Sequence, residues 1–140
     1  MKTLLFFLVL IAMVYTDQSS ANLTLTVNKV KSDKGVVRVL LFDKADGFPD
    51  VVENAVKNAS IKITGNKAVI TFENIPAGTY ALSVFHDSEN TGKLRTNAFG
   101  IPRDGYGFSN NASGTFGPPS FEKAAFKVNA GNNSVSIDLK

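Results

Sequence analysis

Apolar residues recur at every second position in several short runs along this chain. Leu23-Thr24-Leu25-Thr26-Val27 alternates apolar with polar, the period of a strand with one buried face. Val36-Val37-Arg38-Val39-Leu40-Leu41-Phe42 is apolar on nearly both faces, as in a central strand. Ile61-Lys62-Ile63 and Ala68–Phe72 flank Gly65-Asn66 and predict a hairpin. Thr79–His86 reads as a further strand, with Tyr80, Leu82, Val84 and His86 on one face. Phe126–Val128 and Val135–Leu139 predict a terminal hairpin across residues 130–133. Residues 50–58 fit one or two helical turns, with Asp50 and Glu53 spaced as a capping box. The pattern predicts an all-β domain, an antiparallel sandwich of about seven strands.

Between Phe85 and Phe126 the alternation stops. The segment is too rich in Gly, Pro and Asn for regular structure and too rich in Phe and Tyr for a disordered linker. Long connections inside a compact domain are uncommon and are usually functional when ordered. One long ordered loop is therefore expected.

The first residues read differently. Lys2 precedes the apolar run Leu4–Tyr15, and Ser19 and Ala21 offer small residues at the spacing of a signal peptidase site. As a helix that run spans about 18 Å, short of the roughly 30 Å bilayer core. We expect a cleaved signal peptide over residues 1–21 and one domain over 22–140, exported to the periplasm or beyond, with no membrane span after processing. The chain has no cysteine, so no disulfide framework or lipid attachment is open to it. A net charge of +3 without a Lys/Arg block argues against nucleic acid as a partner.

Gly35–Asp43, Gly47-Phe48-Pro49, Ile75–Ala81, Phe85-His86-Asp87, Gly100-Ile101-Pro102, Gly105–Asn111 and Phe116–Phe121 together resemble a family of small secreted bacterial proteins, catalogued as domain of unknown function 2141. The resemblance covers essentially all of the chain after its leader. It implies a Greek-key sandwich of the transthyretin or immunoglobulin kind, and it implies no activity, because function lives in sites grafted on a fold.

Three constellations carry candidate chemistry. Phe99, Tyr106, Phe108, Phe116 and Phe121 provide flat apolar faces in the long segment, and Asn97, Ser109, Asn110 and Asn111 provide amides and a hydroxyl. Such a set suits sugars or peptides; equally, a packed loop must bury its aromatics, and capping an open end of the sandwich would do so. His86, Asn97, Tyr106, Phe108, Asn110, Asn111 and Phe116 are the candidate ligand residues.

The second constellation, Asp87-Ser88-Glu89-Asn90-Thr91-Gly92, has the outline of a calcium loop, with Asp87, Glu89 and Asn90 as oxygen ligands. By the resemblance a fuller oxygen set is usual there, and Arg95 stands where an aspartate is common. The alternative is an Asx-type turn holding its own backbone. The third is His86, the only histidine, as a general base beside Asp87 or as a buried structural imidazole. No Gly-x-Ser-x-Gly pattern accompanies it. Lys93, Arg95 and Arg103, offset by Asp87, Glu89 and Asp104, read as a solvated loop face.

The expected protein is a monomeric, non-catalytic binding or envelope-associated module. Its partner would be a small molecule, a glycan or an envelope protein, and no cofactor is required. A calcium-dependent module through residues 87–92 and a small hydrolase centred on His86 stand as alternatives.

Overall fold

A computed structural model describes residues 19–140. Most of the expected leader lies outside the described residues; its last two positions, Ser20 and Ala21, open the first strand. Eight strands form two sheets: β1 (Ser20–Asn28), β2 (Val36–Phe42), β3 (Lys57–Lys62), β4 (Ala68–Pro76), β5 (Gly78–Asp87), β6 (Tyr106–Phe108), β7 (Phe126–Val128) and β8 (Gly131–Asp138). The small sheet has the order β4-β1-β8, the large one β3-β2-β5-β6, with β7 pairing the start of β5.

The alternation settles which face is buried. Leu23, Leu25 and Val27 of β1 point inward with Val37, Val39 and Leu41 of β2, Leu82 and Val84 of β5, and Ile137 of β8. Each of these side chains is essentially removed from water. The intervening Thr24 faces out and meets Thr71 across the strand pair at 2.8 Å.

Partner choice departs from the expected pattern in three places. The runs flanking Gly65-Asn66 meet only in the single Thr64–Lys67 bridge and do not continue as a hairpin ladder: β3 pairs β2, β4 pairs β1, and the connection crosses between sheets. Both Asp33 carboxylate oxygens accept backbone N–H bonds there, from Gly65 at 3.0 Å and Asn66 at 2.8 Å. The last two strands likewise separate. β7 goes to β5, and β8 lies parallel to β1, so the small sheet is mixed rather than wholly antiparallel. Finally, β6 lies within the long segment read as irregular. Gly107 allows it: an added Cβ would lie 2.6 Å from Ile137 Cγ2, so only glycine lets this strand approach β8 so closely.

Two smaller expectations change as well. Residues 50–58 hold one 3₁₀ turn, Val52–Asn54, without a side-chain cap, and Lys57 already begins β3. Val51, Val52 and Val56 are exposed, so no buried helical stripe forms. Near the far end of the long segment a single helical turn, α1 (Phe121–Ala124), is capped by the Ser120 hydroxyl, which accepts from Lys123 N.

Candidate functional site

The outward face of the large sheet is where this fold leaves apolar surface open. Strand register lays eight outward residues in two transverse rows. Ser60, Arg38, Phe85 and Tyr106 form one row, and Asn58, Leu40, Ser83 and Phe108 the next. All eight line one groove, whose volume is about 1280 Å³. Its floor turns from polar on β3 to aromatic on β6.

One end of this face is closed by a second, smaller apolar cluster. Ala81, Phe108 and Ala124 are buried there, with Phe48, Tyr106, Ala112 and Phe121 against them. Phe48 is the hub, with ring centroids 5.4 Å from Phe42, 5.9 Å from Phe121 and 6.1 Å from Phe108. The expected capping role is thus met by part of the aromatic set, over a sheet face and not over an end of the sandwich.

Two loops stand up as walls. In the first, residues 95–103 fold back on themselves. Arg103 N donates to Arg95 O at 2.8 Å, Asn97 N donates to Ile101 O at 2.9 Å, and Thr96 bridges Pro102. The Asn97 side chain completes the tip, accepting from the backbone N–H of Phe99 at 2.8 Å and of Ile101 at 3.1 Å. The tip holds Phe99 out at 88% exposure and Ile101 at 59%. The second wall runs from Gly114 to Pro118 and carries Phe116, which is fully exposed at 102%. A Cβ on Gly114 would fall 2.2 Å from the Gly117 carbonyl oxygen, so glycine is what lets that loop close on itself.

Two ion pairs, each with a buried aspartate and a partly exposed arginine, brace the approach to the first wall and its base. Asp87, at 1% exposure, accepts from Arg38 Nε, from Thr91 N at 2.9 Å and from Gly92 N at 2.7 Å. Asp104 accepts from Arg95 Nη2 at 2.6 Å and from the Arg95 backbone N–H at 2.9 Å. The expected solvated loop face is therefore replaced by a clamp with both aspartates inside. Burial acts to raise each carboxyl pKa. The donated hydrogen bonds outweigh it and hold both below the ordinary carboxylate value: Arg38, Gly92 and Thr91 for Asp87, Arg95 for Asp104.

Acid should consequently loosen the fold. A carboxyl depressed on folding contributes stability that is complete above its unfolded pKa, about 3.9 for aspartate, and is lost as pH falls through the folded value. We expect the urea midpoint to be level above about pH 5 and to drop steadily below about pH 4. A midpoint that stays level down to about pH 2.5 would contradict the clamp.

The candidate residues divide cleanly. Tyr106 and Phe108 are in the groove floor and Phe116 on its rim, so those three converge. The amides do not join them. Asn97 is spent on its own tip, Asn110 Nδ2 donates to Ala125 O at 2.8 Å, and Asn111 Oδ1 accepts from Asp138 N at 2.9 Å. Ser109 is buried, accepting from Leu82 N at 2.9 Å while donating to Ala124 O. The expected convergence of aromatics with amides is thus corrected to a convergence of aromatics alone.

His86 lies on the core face of β5, behind the groove floor. It is 5% exposed, and its Nε2 donates to the Lys34 carbonyl at 2.7 Å. That bond fixes the turn before β2 and leaves the imidazole away from the groove. Of the three expected calcium ligands, Asp87 and Asn90 are turned to the Arg38 guanidinium. Asp87 is filled by cationic and amide donors, Asn90 Oδ1 accepts from Arg38 Nη2 at 2.8 Å, and Glu89 is exposed. Among the described residues, no three His, Cys, Asp or Glu side chains gather as a metal site.

Arg38, Leu40 and Phe85 escaped the sequence reading. Leu40 and Phe85 fall at outward register positions where a solvated sheet would carry polar residues, and that was the available signal.

Comparison with known proteins adds little to this geometry. No curated protein matches the chain. Among solved structures, the pilus-presented adhesin Spy0125 (Cpa) aligns at 12% identity and a TM-score of 0.25, covering 86% of this chain and 27% of the adhesin. A cysteine-to-alanine mutant of that adhesin aligns at 14% identity and a TM-score of 0.24, with the same coverage. At these scores the likeness bears on neither fold nor function. The family model described as "Uncharacterized protein conserved in bacteria (DUF2141)" matches residues 25–136, and the chain belongs to that family.

Proposed function

We propose that the protein is an exported, non-catalytic binding module whose ligand lies in the groove on the outward face of the large sheet. The observation that carries this reading is the placement of Phe99 and Phe116. Two separately built loops each hold an aromatic ring in water beside a concave floor that itself carries Phe85, Tyr106 and Phe108. A ring left in water gains nothing from burial on folding, and exposed apolar surface beside a groove marks an interaction site. Export rests on Lys2, the Leu4–Tyr15 run and the small residues Ser19 and Ala21. A non-catalytic role agrees with His86 being spent on a backbone carbonyl.

The test is a double variant, Phe99→Ser with Phe116→Ser. Both rings are exposed, so stability should change by less than about 0.5 kcal/mol per site. An amide NMR screen of the purified protein against glycans, peptides and amphiphiles should find a ligand that shifts the resonances of residues 85 and 106. The double variant should lose that response. A ligand bound equally well by the double variant would place the site elsewhere.

A further inference from the structure

Granting the binding role proposed above, on which the following rests, the groove's polar inventory narrows the ligand. Ser83 Oγ donates to Pro49 O at 2.6 Å and is buried. The rim residues Phe99, Ile101, Phe116, Pro102 and Pro118 offer no side-chain hydrogen bond. Asn58, Thr96, Thr115 and the Tyr106 hydroxyl also line the groove, but a sugar reaching beneath this rim would set hydroxyls against apolar side chains, and each one desolvated without a partner weakens binding. An apolar chain makes no such demand.

The polar side of the lining carries two basic side chains, Arg38, which is paired with Asp87, and Lys93. Arg38 uses one N–H on Asp87, one on Ser60 Oγ at 3.1 Å and one on Asn90 Oδ1 at 2.8 Å. A guanidinium has five N–H donors, so two remain, and the side chain is 30% exposed where it lines the groove. Lys93 lines the same groove and takes part in none of the ion pairs among the described residues. Asp50 is the one acidic residue of the lining.

We infer that the groove takes a single-chain amphiphile with an acidic head group, a long-chain carboxylate. The head lies over Arg38 and Lys93. The tail runs across Phe85 and Tyr106 toward the β6 side, beneath Phe99, Ile101 and Phe116. The transverse row Ser60–Arg38–Phe85–Tyr106 supplies this polarity in one line of adjacent residues.

Calorimetric titration of the purified protein with octanoate, decanoate and dodecanoate, each below its micelle concentration, tests this. Binding should be saturable at one site and tighten roughly two- to fourfold per added methylene. Phe116→Ser should weaken dodecanoate by about tenfold. Lys93→Gln should weaken dodecanoate by roughly two- to fivefold while leaving the uncharged dodecyl maltoside unaffected.

Affinity independent of chain length, or no saturable binding of any of the three acids, overturns the inference. A glycan or peptide that shifts residues 85 and 106 when dodecanoate does not overturns it while leaving the binding module intact. Silence from every ligand class takes down both. Co-sedimentation with phosphatidylglycerol vesicles without uptake of monomeric dodecanoate overturns it in favour of a bilayer contact through the same rings.

Discussion

Gly35→Ala should destabilise the protein by about 3 kcal/mol or more, whereas Gly65→Ala should cost only about 1–2 kcal/mol. Both glycines are left-handed, with φ of +69° and +60°. An alanine pays the same conformational penalty at either, roughly 1–2 kcal/mol. The surroundings differ. Nothing lies within 4 Å of a Cβ on Gly65, while a Cβ on Gly35 would fall 2.1 Å from the Asp87 carbonyl oxygen and 2.7 Å from that of Ser88. Those atoms are backbone and cannot swing aside. Relief would have to open the β2–β5 register at Val36 and Asp87, beside the turn that His86 holds. Urea denaturation of both variants is the measurement, and equal losses within about 0.5 kcal/mol would show that the contact is relieved cheaply.

Arg38→Met should cost about 3–5 kcal/mol at neutral pH, because it leaves the Asp87 carboxylate buried without its cation. Methionine keeps much of the arginine stem's volume, so packing loss is a small part of the effect. The pH dependence separates charge from packing. Without Arg38 the desolvation of Asp87 is opposed mainly by the Thr91 and Gly92 amides, so its pKa rises relative to the parent. The deficit should then narrow as pH falls through about 5 to 3, where the variant's Asp87 takes up a proton first. A deficit constant with pH would assign the loss to packing.

The strand faces were legible because alternation reports burial directly. Leu23, Leu25 and Val27 needed no further information, nor did Val37, Val39 and Leu41. Alternation does not report partners. Gly65-Asn66 has hairpin chemistry, yet Asp33, more than thirty residues upstream, ties that turn between the sheets. β6 was hidden because its strand character depends on Gly107 meeting Ile137, a long-range contact that no local window contains.

The site was half legible. Tyr106, Phe108 and Phe116 stand out as aromatics in a long loop, and they do reach one groove. The asparagines beside them looked equally available, but amides are the side chains a loop uses to satisfy its own backbone, and Asn97, Asn110 and Asn111 do that. The Arg95–Asp104 pair is invisible to charge patterning, because a mixed run of charges looks solvated until the chain folds back and buries one partner.

β1 lies between β4 and β8, and β8 is far removed from β1 along the chain. The Asn22–Asn132 side-chain bond alone spans 110 positions. While the polypeptide is still emerging from the ribosome, β1 has one neighbour and an unpaired flank, and the apolar slab behind it lacks Ile137. Contacts this remote in sequence form late and slow folding. The native sandwich therefore cannot close until β8 is available, and the small sheet waits on that strand to be complete.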